Sequence, residues 1–436
     1  MTPFLIWLLI LELLAMVTWG MMQRERALQY PFLVAVGFTG YLLPQFMGLS
    51  RMRYLPDESL NKALIMAIVC LLATHLGYAM NRRPAILFRR WKFDRQRLVV
   101  ASAILTLLGA YFFYQVSLLS AEVSLEHGGQ WTGIITVYHF LSQLVTIGLV
   151  IALLVHLNRP DWSTFLIVFV DVMLFLDRIV MHGRRSDAIE FFVIVTLSLW
   201  FTRRWAPPRW IVISAVVIGV LVVNSIGDYR RTMLERDRTT WTGAGISEIL
   251  DIDYVGNLKR NFEEPGGDVI NAVYRIEAVD RSLKLDYWLS IYDAFINNLV
   301  PGQFVGRDFK QSLMLDIGTS NYGNSRHVPQ VGSTETGLAD AFASFWYFGL
   351  IKFFLIGLIL SRWYKAAMRG NVAAEIIVIL VMYPALLSFA FDTNKFFLEF
   401  VSLALFLLPG LALARRKRMQ FQSGRRYPWF RTKNAA

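Results

Sequence analysis

Long apolar runs separated by short polar segments dominate the sequence. A helix that crosses a bilayer needs about 20 mostly apolar residues, and eleven runs approach this length. They are approximately residues 3–22, 30–49, 60–80, 98–118, 134–156, 162–180, 187–205, 210–226, 338–361, 372–390 and 395–414. The pattern predicts an all-α polytopic membrane protein with about 11 transmembrane helices.

One connecting segment, residues 227–337, is far longer than the others. It carries 12 Lys and Arg residues against 16 Asp and Glu residues, a net charge of −4. Its stretch 283–299 has apolar residues at helical spacing, so we expect a folded and mainly helical loop. The chain then divides into spans one to eight (1–226), the large loop (227–337), spans nine to eleven (338–414) and a basic tail (415–436).

Composition supports a membrane protein and excludes an ordinary soluble enzyme. Hydrophobic residues make up 55% of the chain and charged residues only 17%, whereas soluble domains have roughly 25% charged residues. The net charge of +12 would suit a nucleic-acid-binding protein. Most Lys and Arg residues, however, occur in short clusters between apolar runs. That distribution indicates membrane orientation, and we expect no nucleic-acid partner.

The charge of the connecting segments predicts the orientation. Segments 81–97, 203–209, 362–371 and the tail from Arg415 are basic, and even numbers of spans separate them. Basic segments stay on the cytoplasmic side. The N-terminus should therefore lie outside, the C-terminus in the cytoplasm and the large loop on the extracytoplasmic face. The first run lacks a basic leader and is expected to be a retained helix.

A short segment after the sixth span has arginines on the side that should lack them. It reads DRIVMHGRRSD and contains Arg178, Arg184 and Arg185. Guanidinium groups bind phosphate in a bidentate manner, so these residues are candidates for an anion site. The alternative is that they reach lipid headgroups. His182 and Asp187 in the same segment are candidate acid or base groups.

A second cluster follows the eighth span, in GDYRRTMLERDR. Arg230 and Arg231 lie nearest the membrane, where a lipid-linked phosphate would be. A solvated helix face with acidic partners explains the same pattern.

The third candidate is the start of the ninth span, VGSTETGLADAF. Ser333, Thr334 and Thr336 are residue types that cap helices, and a helix N-terminus can bind an anion. Glu335 and Asp340 beside it are candidate bases. Ordinary capping is the competing interpretation. Deeper in the predicted spans, Asp171 and Lys352 are ionisable groups that we expect to pair.

Three stretches together resemble the bacterial O-antigen and exopolysaccharide repeat-unit polymerase (Wzy-type) family. They are HGRRSDAIEFFVIVTLSLW, NNLVPGQFVGRDF and STETGLADAFASFWYFGLIKFFLIGLIL. Their order, the predicted spans and the single large loop before the last three spans are also similar to that family.

The resemblance implies glycosyl transfer at the outer face of the bacterial inner membrane. A growing undecaprenyl-diphosphate-linked glycan would be moved onto a lipid-linked repeat unit, without a metal or another cofactor. Arginines and capping residues would bind the diphosphate. The base would be one of Asp187, Glu335, Asp340 or His182. Expected partners are lipid-linked oligosaccharides, membrane lipids, and a chain-length regulator and flippase of the same pathway.

Three other functions fit the same sequence. An O-antigen ligase would hand the glycan to a different acceptor. A flippase or other transporter is expected to place charges deep in several spans and to have short loops. A non-catalytic scaffold would leave the clustering of arginines with acids unexplained.

Overall fold

The structure is a computed structural model. It describes residues 1–52, 57–80, 83–89, 91–126, 134–180, 184–235, 252–263, 267–315, 327 and 334–416. The described residues form helices and no β-strand. The all-α class predicted from the sequence is confirmed.

The first half of the chain contributes nine α-helices over the described ranges. They are α1 (Thr2–Met22), α2 (Tyr30–Leu49), α3 (Asp57–Met80), α4 (Arg95–Glu126), α5 (Ile134–Ser142), α6 (Leu144–Asn158), α7 (Trp162–Val180), α8 (Arg185–Arg203) and α9 (Arg209–Glu235). A short 3-10 helix, Arg24–Leu28, joins α1 to α2.

The described part of the second half begins with shorter helices and returns to long ones. They are α10 (Tyr254–Glu263), α11 (Gly267–Ser282), α12 (Ser290–Leu299), α13 (Gly302–Val305), α14 (Arg307–Ser312), α15 (Gly337–Phe345), α16 (Leu350–Met368), α17 (Val372–Leu387) and α18 (Asn394–Ala414). A 3-10 turn, Trp346–Gly349, joins α15 to α16.

Seven helical segments of the described chain are long and apolar enough to cross a membrane. They are Thr2–Met22, Tyr30–Leu49, Asp57–Met80, Arg95–Leu119, Ile134–Asn158, Gly337–Met368 and Asn394–Ala414. Two shorter apolar segments are the first part of α9, Arg209–Leu221, and α17, Val372–Leu387. The remaining expected spans coincide with α7 and α8, which carry several charged side chains. The fold is that of a helical membrane protein.

The expected ninth span is a broken helix. α15 ends at Phe345, and Trp346 has a positive φ of 47°. A Cβ added at Gly349 would lie 1.9 Å from the carbonyl oxygen of Ala341, so only glycine permits the chain to turn this closely. The expected fifth span is also divided, into α5 and α6 at Gln143.

Close backbone packing joins α3 to α16. A Cβ added at Gly77 would lie 2.2 Å from the carbonyl oxygen of Phe354, and one at Gly357 would lie 2.4 Å from that of Thr74. Small residues that let two helices approach closely are typical of membrane helix pairs. This contact fixes α16 in the bundle.

α11, from the long segment 227–337, packs directly on the apolar helices. Val269, Ala272, Val273 and Ile276 form its buried face, and the helix contacts α2, α3 and α15. The expected helix at 283–299 is shorter than predicted and begins at Ser290. Leu283, Tyr287 and Trp288 have positive φ angles, which an α-helix does not accept.

Candidate functional site

Arg178 is buried between helices. It lies near the end of α7, is 6% exposed, and donates to the carbonyl oxygen of Ser142 at 3.3 Å. Its guanidinium carbon lies 5.0 Å from the ring centre of Phe113 and 5.5 Å from that of Phe175. Cations gain attraction over aromatic faces when desolvated. Burial inside the protein disfavours the alternative in which Arg178 reaches lipid headgroups.

Charged groups at the start of α8 act electrostatically on Arg178. Arg184 occupies the N-cap position of α8 without a side-chain capping bond, and its backbone N–H donates to the carbonyl oxygen of Arg178 at 3.3 Å. Asp187 and Glu190 are the carboxylates that act most strongly on the Arg178 guanidinium. Asp187 Oδ1 accepts from Ser186 at 3.1 Å, whereas its buried Oδ2 accepts no hydrogen bond from the described part of the chain.

Two more elements complete this group. Lys395 of α18 acts electrostatically on Glu190. His139 of α5 experiences the charges of Arg184, Arg178 and Lys395. We call Arg178, Arg184, Asp187, Glu190, His139 and Lys395 the arginine cluster. Its members come from α5, α7, α18 and the start of α8 and act on one another electrostatically.

The start of α15 is buried against the chain that follows α17. Thr336 is the N-cap, and its Oγ1 accepts from the Ala339 N–H at 3.5 Å. Gly337 N–H donates to the carbonyl oxygen of Phe389 at 3.2 Å. Capping by Thr336 is confirmed. Protein groups thus accept from two of the N–H donors at this helix start, and the binding of a ligand anion by Ser333, Thr334 and Thr336 stays a prediction.

Thr334 binds α11 instead of capping α15. Its N–H and its Oγ1 lie 2.6 Å and 3.1 Å from Asp268 Oδ1, and the Oγ1 also donates to the carbonyl oxygen of Ala390 at 2.5 Å. Tyr41 of α2 donates its hydroxyl to the other Asp268 oxygen. Asp268 thus ties the α15 start to α11 and α2, so Thr334 is engaged in structural hydrogen bonds.

Glu335 forms an ion pair with Arg275 of α11. The Glu335 side chain is 33% exposed and that of Arg275 only 8%. The Arg275 Nε is buried and donates to no group among the described residues. Glu335 is therefore a partly accessible carboxylate beside a buried guanidinium at the start of α15.

Asp340 is enclosed in the protein. Both of its carboxylate oxygens lie 3.1 Å from Lys352 Nζ, and Thr393 donates to Oδ2 through its N–H at 3.1 Å and its Oγ1 at 2.5 Å. A general base must reach its proton donor, and Asp340 is 1% exposed. Its role as an acceptor-activating base stays a prediction, and its burial and its bonds to Lys352 and Thr393 favour a positioning role.

The predicted pair of Asp171 and Lys352 is wrong. Lys352 binds Asp340, and Asp171 Oδ2 accepts from Thr106 Oγ1 at 3.0 Å. Asp171 lies on α7 and Lys352 on α16. The sequence alone did not indicate that the Lys352 side chain contacts α15, across the break between α15 and α16.

His327 lies beside α11. One ring nitrogen is 2.7 Å from Asn271 Oδ1, and the ring stacks on Tyr274 with centres 4.3 Å apart. Asn271 Nδ2 donates to the carbonyl oxygen of Thr334 at 3.0 Å. Removal from water lowers the pKa of His327 below its usual value, since burial disfavours the imidazolium form.

The segment 388–395 connects the two regions. Ala390 and Thr393 bind Thr334 and Asp340 near α15, and Lys395, two residues further, belongs to the arginine cluster. The structure therefore links two of the three candidate regions through one short turn.

Several predicted residues fall outside what the structure describes. His182 and Ser333 lie outside the described residues. Arg185 begins α8, and Arg230 and Arg231 lie in the last turns of α9; the side chains of these three are also outside the described part.

Sequence reasoning missed Asp268, Arg275, His139 and Lys395. Arg275 was detectable, because it is a lone arginine on the apolar face of an amphipathic helix. The other three gave no local signal, since their roles depend on which helices meet. Among described residues, no group of three or more His, Cys, Asp or Glu side chains is arranged to hold a metal ion.

Comparison of the chain with protein-family models, with curated proteins and with solved structures found no match.

Proposed function

We propose that this protein is a membrane glycosyltransferase that polymerises lipid-linked saccharide repeat units at the extracytoplasmic face of the bacterial inner membrane. The acceptor hydroxyl attacks the first sugar of the growing chain, and the bond from that sugar to undecaprenyl diphosphate breaks. The hydroxyl proton passes to a carboxylate, and the diphosphate leaves as an anion.

The arginine cluster is the observation that carries this proposal. Asp187, Glu190 and Arg184 act electrostatically on the buried Arg178, and Lys395 acts on Glu190. Departure of a diphosphate requires cations at the developing negative charge, and proton removal requires a nearby base. One cluster supplies both kinds of group, which fits glycosyl transfer better than a scaffold.

Asp187 and Glu335 are the proposed base candidates. Asp187 has a buried carboxylate oxygen that receives no hydrogen bond from described residues, so one oxygen remains for a proton. Glu335 is partly exposed, and Arg275 holds it in position. Asp340 and Lys352 take a positioning role, because they hold the start of α15 against Thr393.

The proposed topology has eleven spans, with α7, α8, α9 and α17 crossing the membrane beside the seven more apolar segments. Charged faces of α7 and α8 are then turned toward the bundle, as Arg178 and Asp171 are. The N-terminus lies outside and the C-terminus in the cytoplasm. The long segment 227–337 and the arginine cluster then share the extracytoplasmic side.

Analysis of the surface carbohydrate made by a strain that lacks this protein distinguishes a polymerase from a ligase and a flippase. Loss of a polymerase leaves single repeat units attached to their final acceptor. Loss of a ligase leaves long chains that remain on the lipid carrier, and loss of a flippase causes repeat units to accumulate inside the cell. Long chains on the normal acceptor in the deletion strain would rule out the polymerase.

A further inference from the structure

The sequence motif NNLVPGQFVGRDF belongs to a compact element, α12–α14, with an exposed apolar surface. α12, α13 and α14 fold back on one another, because Lys310 Nζ donates to the carbonyl oxygen of Asn297 at 2.8 Å and the Leu315 N–H donates to Asp293 at 2.8 Å. The element leaves six large apolar side chains exposed: Tyr292, Phe295, Phe304, Val305, Phe309 and Leu315. Phe304 is 73% exposed and Phe309 is 55% exposed.

The start of α12 is fixed at the end of an apolar helix. Trp288 Nε1 lies 3.3 Å from Asn394 Oδ1, and Asn394 Nδ2 lies 3.3 Å from Ser290 Oγ. The Trp288 ring packs on that of Phe397 with centres 5.0 Å apart. Asn394 is the first residue of α18, which is long and apolar enough to span a membrane. α12 therefore starts at the depth where α18 meets the membrane surface.

Exposed aromatic residues continue from this element to the broken helix. Tyr287 contacts Phe345 with ring centres 6.4 Å apart, and the 3-10 turn that follows exposes Trp346 and Phe348. That turn lies within the apolar stretch 337–368. Aromatic side chains collect at the level of lipid headgroups in membrane proteins.

We propose that α12–α14 is a membrane-surface anchor whose Phe304 and Phe309 side chains enter the headgroup–acyl boundary of the phospholipid bilayer. An amphipathic element of this kind lies in the interface with its apolar side chains inserted by about 5–10 Å. Arg307 and Asp308 are both exposed next to them, so charged groups flank the apolar side chains, as in other interfacial elements. The bilayer is the occupant that matches both the aromatic residues and the depth set by α18.

Single-cysteine labelling tests this proposal in the full chain. The native Cys70 is buried and forms no disulfide, so Cys70→Ser provides the background. Phe304→Cys and Phe309→Cys are labelled with a nitrobenzoxadiazole fluorophore and reconstituted into phosphatidylethanolamine and phosphatidylglycerol vesicles. Gln311→Cys is the matched control, because it is exposed in the same helix and two positions from Phe309, roughly 200° around the helix axis.

The readout is quenching by lipids with brominated acyl chains. We expect labels at 304 and 309 to lose about half of their emission, and the label at 311 to lose little, since only the former enter the acyl boundary. Equal quenching at all three positions, or none, would overturn the proposal. Labels at 304 and 309 that are shielded from aqueous iodide yet unaffected by brominated lipid would mean that protein covers this surface, which also contradicts it.

Discussion

The ammonium group of Lys352 lies 3.1 Å from both carboxylate oxygens of Asp340, and neither side chain reaches solvent. Lys352 also lies 5.5 Å from the ring centre of Trp288. The pair spans the break between α15 and α16, and Thr393 attaches it to the start of α18. It thus holds together three elements that surround the candidate site.

Removal of one partner of this pair should destabilise the protein strongly. Lys352→Met leaves the Asp340 carboxylate buried without its counter-charge, a change that costs about 3–5 kcal/mol. The double variant Asp340→Asn/Lys352→Met removes both charges and should be more stable than Lys352→Met alone. The free energy of unfolding, measured by reversible denaturation in detergent, gives the stability of each variant. If the double variant is less stable than both Lys352→Met and Asp340→Asn, the ion pair does not have this role.

A methyl group at Gly77 should weaken the contact between α3 and α16. The added Cβ would lie 2.2 Å from a backbone oxygen of Phe354, so the helices must separate, at a cost of about 1–3 kcal/mol. Gly37→Ala is the control, because a Cβ there meets no atom within 4 Å. The midpoint temperature of thermal unfolding should fall for Gly77→Ala and stay near that of the wild type for Gly37→Ala. Equal shifts would contradict the close approach of the two helices.

The stack of His327 on Tyr274 predicts a pH dependence. Burial lowers the pKa of His327 in the folded protein, so the unfolded chain binds more protons as the pH falls below about 6.5. Stability contributed by neutral His327 is complete above that pH and declines below it. His327→Gln should reduce the loss of thermal stability between about pH 7.5 and pH 5.5. If the variant and the wild type lose the same thermal stability over this pH range, His327 does not contribute to the pH dependence.

The helical class was predictable because apolar length alone encodes a membrane helix. The run 162–180 matched α7 in full, since Pro160 and Asp161 precede it and Gly183 follows it in the sequence. The break at Trp346–Gly349 was not predictable, because every residue there is apolar or glycine and hydropathy continues across it. Only the contact of Gly349 with Ala341 reveals the turn.

The sequence predicted which types of residue form the candidate site. It was less informative about which side chains contact one another there. Arg178 and Arg184 were identified because they violate the expected charge distribution. Lys395 and Arg275 were missed, because their positions depend on contacts between segments that lie far apart in sequence. Asp340 was assigned to chemistry because it lies beside a helix N-terminus, which can bind an anion. Its burial depends on Lys352, which reaches back across the helical break.

Elongation by the purified protein tests the central claim most directly. The protein in liposomes, supplied with labelled undecaprenyl-diphosphate-linked repeat units and no nucleotide, should make longer lipid-linked chains whose lengths are read on a gel. Arg184→Ala should reduce the rate by about 10²-fold because it removes a cation from the leaving diphosphate, whereas Gly37→Ala should retain it. Unchanged repeat units with the wild-type protein, or full activity in Arg184→Ala, would contradict the account.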